Sequence, residues 1–164
     1  MPEGTVKIRK FLGTYPVSVD KQRRLTMPRA WRLPTDTDDT AFYLMPGPNH
    51  MIMMVTEERM NAVVQGLEDR SLMNKEDHLS KTFLASQSQE IQLDKQGRFQ
   101  LNQNLAKYAQ IEENAVFLGS FDTGTIASPN NWSEEDTSNE SIFDRFLAIE
   151  DAIRAYKAKA EASK

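Results

Sequence analysis

The sequence predicts an α+β fold made of two copies of a small β-rich module, joined by a helical pair and followed by a C-terminal helix. Two observations carry this. The pattern Asp-Lys-Gln-x-Arg occurs twice, as Asp20-Lys21-Gln22-Arg23-Arg24 and as Asp94-Lys95-Gln96-Gly97-Arg98. At the same separation of 74 residues, Ala41-Phe42-Tyr43-Leu44 falls on Ala115-Val116-Phe117-Leu118, and Ile52 on Ile126, without a gap. A unit of that size, holding two hairpins and a short helix, exceeds a solenoid repeat and reads as a duplicated module.

Residues 1–10 read as an N-terminal extension and 11–73 as the first module with its helix. Val17 and Val19 alternate with polar neighbours up to Asp20, and Leu25 and Met27 resume after Arg24, which predicts strand 14–19, a basic turn and strand 24–27. Pro28 suits the first position of a short helix, where its missing N–H is not needed. A hairpin over 41–55 turns at Pro46-Gly47-Pro48-Asn49. Thr56 is suited to cap a helix with Glu57 and Glu58 in its first turn, and Met60, Val63, Val64 and Leu67 then share one face. Asn74 with Asp77 has the spacing of a capping box and opens a second helix through Leu79, Phe83 and Leu84.

That linking helix and the second module occupy 74–135. Ile91 and Leu93 lead into Asp94, Phe99 and Leu101 lead out of Arg98, and Asn102 caps a short helix whose Leu105, Tyr108 and Ala109 face inward. Residues 136–164 form a C-terminal helix and tail. From Asn139 onward, Ile142, Phe146, Ile149, Ile153 and Tyr156 are spaced 4, 3, 4 and 3, the seam of a helix lying on another helix. The expected partner lies within the chain, with a second copy as the alternative.

At 164 residues and 39% hydrophobic content the chain can bury a core. With no cysteine, and with His50 and His78 isolated, neither a disulfide framework nor a metal site is expected, and no cofactor. The start lacks the apolar stretch of a signal peptide, and no run approaches the roughly 20 apolar residues of a membrane span. A cytoplasmic protein without a membrane partner is the expectation. The net charge of −4 hides an asymmetry. Residues 1–32 carry Lys7, Arg9, Lys10, Lys21, Arg23, Arg24, Arg29 and Arg32 against Glu3 and Asp20, whereas 133–164 carry eight acids against five bases. A local phosphate-facing surface follows, with the acidic tail kept from it or regulating it; the plainer alternative is a solvated charged surface.

The repeated turn carries the chemistry. Asp20 or Asp94 at a strand end can accept backbone N–H bonds of the turn, while the arginine four residues on restarts the strand. Guanidinium groups on a rigid hairpin bind phosphate, or pair with guanine O6 and N7 in the major groove, which admits a two-stranded ribbon. Lys21, Arg23 and Lys95 would add phosphate charge, and Gln22 and Gln96 could reach base edges. The competing reading makes Asp20–Arg24 and Asp94–Arg98 turn-stabilising ion pairs only. Gly97 takes a positive φ freely, whereas Arg23 in the matching place costs roughly 1 kcal/mol if the turn is left-handed there. Arg23→Gly is then expected to raise stability and to weaken polyanion binding.

An enzyme reading rests on Asp122-Thr123-Gly124, the core of an aspartic-protease signature in which two aspartates share a proton. These residues align with the hairpin tip Pro48-Asn49-His50, so a turn is expected and catalytic residues are not. Phosphate-loop, dinucleotide and nucleophile-elbow motifs are absent from the sequence. Met51, Met53 and Met54 read as strand-packing residues, and Trp31 and Trp132 as packing anchors.

Phe11-Leu12-Gly13, Val17 through Pro28, Leu72-Met73-Asn74 and Ile91 through Arg98 together resemble the MraZ family, over about residues 11–135. The resemblance implies tandem swapped-hairpin modules of the AbrB/MazE/SpoVT kind, doubled in one chain and interlocked into a β-barrel, with subunits assembled as a ring. It further implies a nucleoid-associated, sequence-specific transcriptional regulator, a repressor without a small-molecule substrate. Its Asp-x-x-x-Arg loops, here Asp20–Arg24 and Asp94–Arg98, would bind tandem double-stranded DNA repeats upstream of the division and cell-wall gene cluster. Three departures leave the target sequence open: Arg23 stands where glycine is usual, Asn102 stands where the first copy has Pro28, and the N-terminal extension is long. A different class of reading is an antitoxin-like or scaffold protein that shares the fold without reading DNA.

Overall fold

The computed structural model describes residues 7–68, 75–132 and 139–163. The chain is mixed α+β and divides into two compact units, Met1–Asn131 and Trp132–Lys164. In the first unit the order is β1 (Thr14–Ser18), β2 (Arg24–Thr26), β3 (Ala41–Pro46), β4 (Ile52–Thr56), α1 (Glu57–Glu68), α2 (Lys75–Ser86), β5 (Gln89–Gln92), β6 (Arg98–Gln100), α3 (Gln103–Tyr108), β7 (Asn114–Ser120) and β8 (Thr123–Ala127). The strands form a six-stranded antiparallel sheet, ordered β1-β7-β8-β4-β3-β5, and a two-stranded ribbon of β2 and β6.

The repeats do not keep to themselves. β1 pairs with β7, β3 with β5, β4 with β8 and β2 with β6, so each of these ladders joins one copy to the other. Ile52 lies opposite Ile126, and Leu25 opposite Phe99. In both cases a residue faces its own counterpart 74 positions away, which places it on the local two-fold axis relating the copies. All four side chains are buried, along with the equivalent pair Met27 and Leu101. Neither copy could bury these faces alone, because its hairpins find their neighbours in the other copy.

Trp31 sits within this core at 1% exposure, edge-to-face with Phe11, Tyr15 and Phe117 at ring separations of 5.1, 5.9 and 5.6 Å. Its Nε1–H donates to the Leu12 carbonyl at 2.9 Å, which satisfies the indole's one polar group. Trp31 is thus the expected anchor, whereas Trp132 is 37% exposed. Met54 is fully buried in β4, and Met51 and Met53 are partly so.

Local signals mostly hold. The Thr56 hydroxyl accepts the Arg59 N–H at 3.3 Å, and Asn102 Oδ1 accepts the Leu105 N–H at 2.8 Å, so both predicted caps form. Asn74 lies outside the described residues. Pro28 precedes the short 3-10 turn Arg29–Trp31 with ψ 133 instead of opening it, since proline fixes φ but leaves ψ free to stay extended. Leu105 and Ala109 are buried, while Tyr108 is half-buried and its hydroxyl donates to the Gly47 carbonyl. α1 and α2 contain no buried residue. Met60, Val63, Val64 and Leu67 share a face as expected, but that face and Leu84 of α2 line an open cleft of about 570 Å³ above Tyr43 and Met45.

The N-terminal extension is strapped down by a basic residue. Arg9 Nη1 donates to Asp36 Oδ2 at 2.8 Å and to the Trp31 carbonyl at 2.6 Å, Nη2 completes the fork to Asp36 Oδ1, and the guanidinium lies 4.8 Å from the Phe42 ring centroid. Burial acts to raise the Asp36 carboxyl, but the Arg9 and Leu33 hydrogen bonds outweigh it and hold it below 3.8. One cation counted in the basic end is therefore spent inside the fold.

The second unit contains α4 (Asn139–Ala162). The seam residues Ile142, Phe146, Ile149, Ile153 and Tyr156 are 49–76% exposed, and the Phe146 ring stacks on that of Phe143 at 6.4 Å. Among the described residues, no helix is long and apolar enough to cross a membrane.

Candidate nucleic-acid interface

Each loop is built around its aspartate. Asp20 Oδ1 accepts the N–H groups of Gln22 and Arg24 at 2.9 and 2.8 Å, and Asp94 Oδ1 accepts those of Gln96 and Arg98 at 2.8 and 2.9 Å. The backbone closes beneath, with the Arg23 N–H on the Asp20 carbonyl at 3.0 Å and the Gly97 N–H on the Asp94 carbonyl at 2.9 Å. A short carboxylate can reach its own turn two and four residues on, which is why aspartate serves here.

The second carboxylate oxygen aims the arginine. Asp20 Oδ2 accepts Arg24 Nε at 2.7 Å, and Asp94 Oδ2 accepts Arg98 Nε at 3.0 Å. Arginine has five N–H donors, and among the described residues pairing through Nε leaves the four on its terminal nitrogens unspent. The ion pairs of the bland reading are thus present, yet they fix each guanidinium without consuming its outer edge. Both carboxyls are held below 3.8. The largest cause is the backbone N–H of Arg24 or Arg98, which outweighs desolvation, and the arginine side chain adds to it.

The ribbon carries both arginines on one face. Arg24 lies opposite Gln100, Leu25 opposite Phe99 and Thr26 opposite Arg98. Because side chains alternate along a strand, burying Leu25 and Phe99 turns Arg24, Thr26, Arg98 and Gln100 outward. Arg24 and Arg98 are diagonal neighbours there, with Cα atoms about 7–8 Å apart. The loops lie at opposite ends of the ribbon and are cross-tied, since the Met27 N–H donates to the Gly97 carbonyl at 2.9 Å and the Leu101 N–H to the Arg23 carbonyl at 2.8 Å. Lys21, Gln22, Lys95 and Gln96 are exposed on the loops, so all nine candidate residues lie on the ribbon and its two ends.

The loops differ where the sequence differs. Arg23 has φ 60 and Gly97 φ 77, so both occupy the left-handed region. Arg23 is held there by its own Nε, which donates to the Leu101 carbonyl at 3.0 Å. Gly97 is covered from outside by Arg32, and a Cβ at 97 would stand 2.8 Å from Arg32 Cζ and closer still to Nη1. Sequence reasoning counted Arg32 only as charge in the basic end and missed its contact with the second loop.

No protein-family model matches the chain. It is 30% identical over 129 residues to transcriptional regulator MraZ of Clostridium tetani, covering 79% of this chain and 89% of that protein. The chain belongs to the MraZ family. It is also 28% identical over 134 residues to transcriptional regulator MraZ of Lactiplantibacillus plantarum, covering 82% of this chain and 93% of that protein. Transcriptional regulator MraZ of Mesoplasma florum is 28% identical over 143 residues, with 87% and 94% covered. These MraZ relatives carry the name of transcriptional regulators and not of enzymes. Asp122 follows Phe121 at the tip between β7 and β8, as the sequence predicts for a turn, and lies 3.7 Å from Arg59, while Gly124 is a core glycine whose added Cβ would meet the Trp31 ring at 2.9 Å.

Proposed function

We propose that this MraZ-family protein is a sequence-specific DNA-binding transcriptional regulator whose contact surface is the β2–β6 ribbon with its two loops. One observation supports the reading above others. Arg24 and Arg98 are each fixed through Nε alone, on the same outward face, with both terminal nitrogens left for a ligand. A guanidinium so presented matches guanine O6 and N7 or a phosphate, and a two-stranded ribbon fits the major groove. Lys21, Arg23 and Lys95 supply phosphate charge, and Gln22 and Gln96 reach base edges.

The interlocked pairing of the copies supports a doubled swapped-hairpin fold closed as a barrel, in which 11–73 and 74–135 act as halves of one DNA-binding body between the 1–10 extension and the 136–164 helix and tail. Assembly with further copies into a ring is part of the same proposal, because weak basic loops gain avidity on tandem repeats. Repression of the division and cell-wall gene cluster, in the cytoplasm at the nucleoid, completes it.

Mobility shift on the DNA upstream of the protein's own gene, across a salt series and with a scrambled duplex, tests the proposal. Affinity should fall steeply with salt as phosphates release counterions. Arg24→Ala and Arg98→Ala should each weaken the cognate complex while leaving the melting temperature near wild type. Cognate binding equal to wild type by both variants would show that the loops are wrongly assigned. A salt-insensitive protein contact in place of DNA binding would favour the antitoxin-like or scaffold reading.

A further inference from the structure

We infer that Arg32 is a phosphate contact of the second loop, standing at Gly97 where Arg23 stands in the first, so that each loop presents two arginines. This rests on the reading of the ribbon and loops as the DNA-binding face.

Comparing the copies position by position shows an exchange. Arg23 corresponds to Gly97, and Arg32, at the same offset, corresponds to Ala106. In the first loop the left-handed position carries an arginine, and the place equivalent to Arg32 holds a small, buried alanine. In the second loop the left-handed position has no side chain, and the guanidinium of Arg32 covers it. One guanidinium beside each turn is thus kept, though it comes from a different element. The arginine and the small residue have traded places, which a search for a repeated motif does not register.

The bonding state of Arg32 points to a ligand. Its Nε is buried without a hydrogen-bond partner, and among the described residues its guanidinium donates no hydrogen bond. Asp36 feels its charge, but the Asp36 oxygens are already bonded to Arg9 and to the Leu33 N–H. A half-buried cation with unspent donors is costly to a fold unless something satisfies it. The DNA backbone offers the matching group for the terminal nitrogens, since phosphate oxygens accept two parallel N–H bonds from a guanidinium, while the buried Nε stays beyond a phosphate's reach. Phosphate is favoured over a base because Arg32 flanks the loop, whereas Arg98 occupies the outward face of the ribbon.

The test uses the full chain, its own upstream duplex and the scrambled duplex, with oligomeric state and melting temperature recorded for each variant. Arg32→Met keeps a long side chain over Gly97 but removes the charge. It should weaken both duplexes to a similar degree, roughly tenfold at physiological salt, and lower the log–log salt slope by about one per engaged loop. The paired substitution R32A with G97R moves the arginine to the position it has in the first loop and should restore affinity and slope. Wild-type affinity and slope for Arg32→Met, or a folded R32A/G97R protein that fails to recover, would overturn the inference. If Arg32→Met does not fold, the paired variant decides alone. Failure of the underlying reading looks different, because Arg24→Ala and Arg98→Ala would then bind as wild type does.

Discussion

Arg23 shows how one side chain can change the sign of an expectation. A left-handed arginine costs roughly 1 kcal/mol, which taken alone makes Arg23→Gly stabilising. The structure adds a hydrogen bond from Arg23 Nε to the Leu101 carbonyl, part-buried and made by a charged donor, whose loss costs about 1.5–3 kcal/mol. Arg23→Gly should therefore lower stability by about 0.5–2 kcal/mol by chemical denaturation, while DNA affinity falls through the lost cation. The aspartates yield a second expectation. Asp20 and Asp94 titrate below 3.8 in the folded protein, so their contribution to stability is present at all higher pH and is lost as pH falls through the lowered value. Carboxyl NMR should place both midpoints below ordinary aspartate, and the loops should not change with pH between 5 and 8. A midpoint at or above the ordinary value for either would mean that the turn bonds are not formed in solution. Both loops were readable in five residues because aspartate, arginine and their spacing act locally. The roles of Arg9 and Arg32 were not, because each depends on a group that only the fold brings near: Asp36 for Arg9 and Gly97 for Arg32.

Strand positions followed from apolar alternation, and caps from Thr56 and Asn102, because both signals lie within a few residues. Pairing did not follow. Alternation tells which face of a strand is buried but not which strand lies beside it, and here the partners of β1, β2, β3 and β5 include strands from the other copy. The 74-residue offset did hold a usable clue, since two equivalent residues can face each other only on a two-fold axis, as Leu25 and Phe99 do. That position makes the ribbon sensitive. Phe99→Ala opens a cavity under both loops at once, next to Phe117 at 6.2 Å between rings. It should cost about 3–5 kcal/mol by denaturation. DNA binding should be lost at temperatures where the variant still retains most of its helix signal, because the ribbon has only three residue pairs to hold it. Full DNA affinity in a destabilised Phe99→Ala protein would show that the loops do not depend on the ribbon for their positions.

The first unit leaves apolar side chains exposed on both linking helices. Val63 and Val64 on α1 and Leu79, Phe83 and Leu84 on α2 are 40–72% exposed, more than scattered surface residues explain. The predicted amphipathic stripe on α1 is present and lines an open cleft over Tyr43 and Met45. Sequence periodicity could show that α1 has an apolar face, not how little of it the described residues cover. Whether copies in the proposed assembly meet at this cleft is tested by charge placed there, which touches neither loop. Val64→Glu combined with Leu84→Glu should lower the mass measured by analytical ultracentrifugation while the melting transition stays cooperative, since neither residue is part of the buried core. The effect on DNA should depend on the probe. A single copy bound at one site gains nothing from assembly, whereas tandem sites gain through effective concentration, typically by about 10²–10⁴. The double variant should thus bind a one-site duplex nearly as wild type does and lose most of its advantage on a two-site duplex. If mass and two-site affinity both stay unchanged, the α1–α2 face is not where copies meet. If mass falls but two-site affinity does not, assembly exists and DNA recognition does not use it.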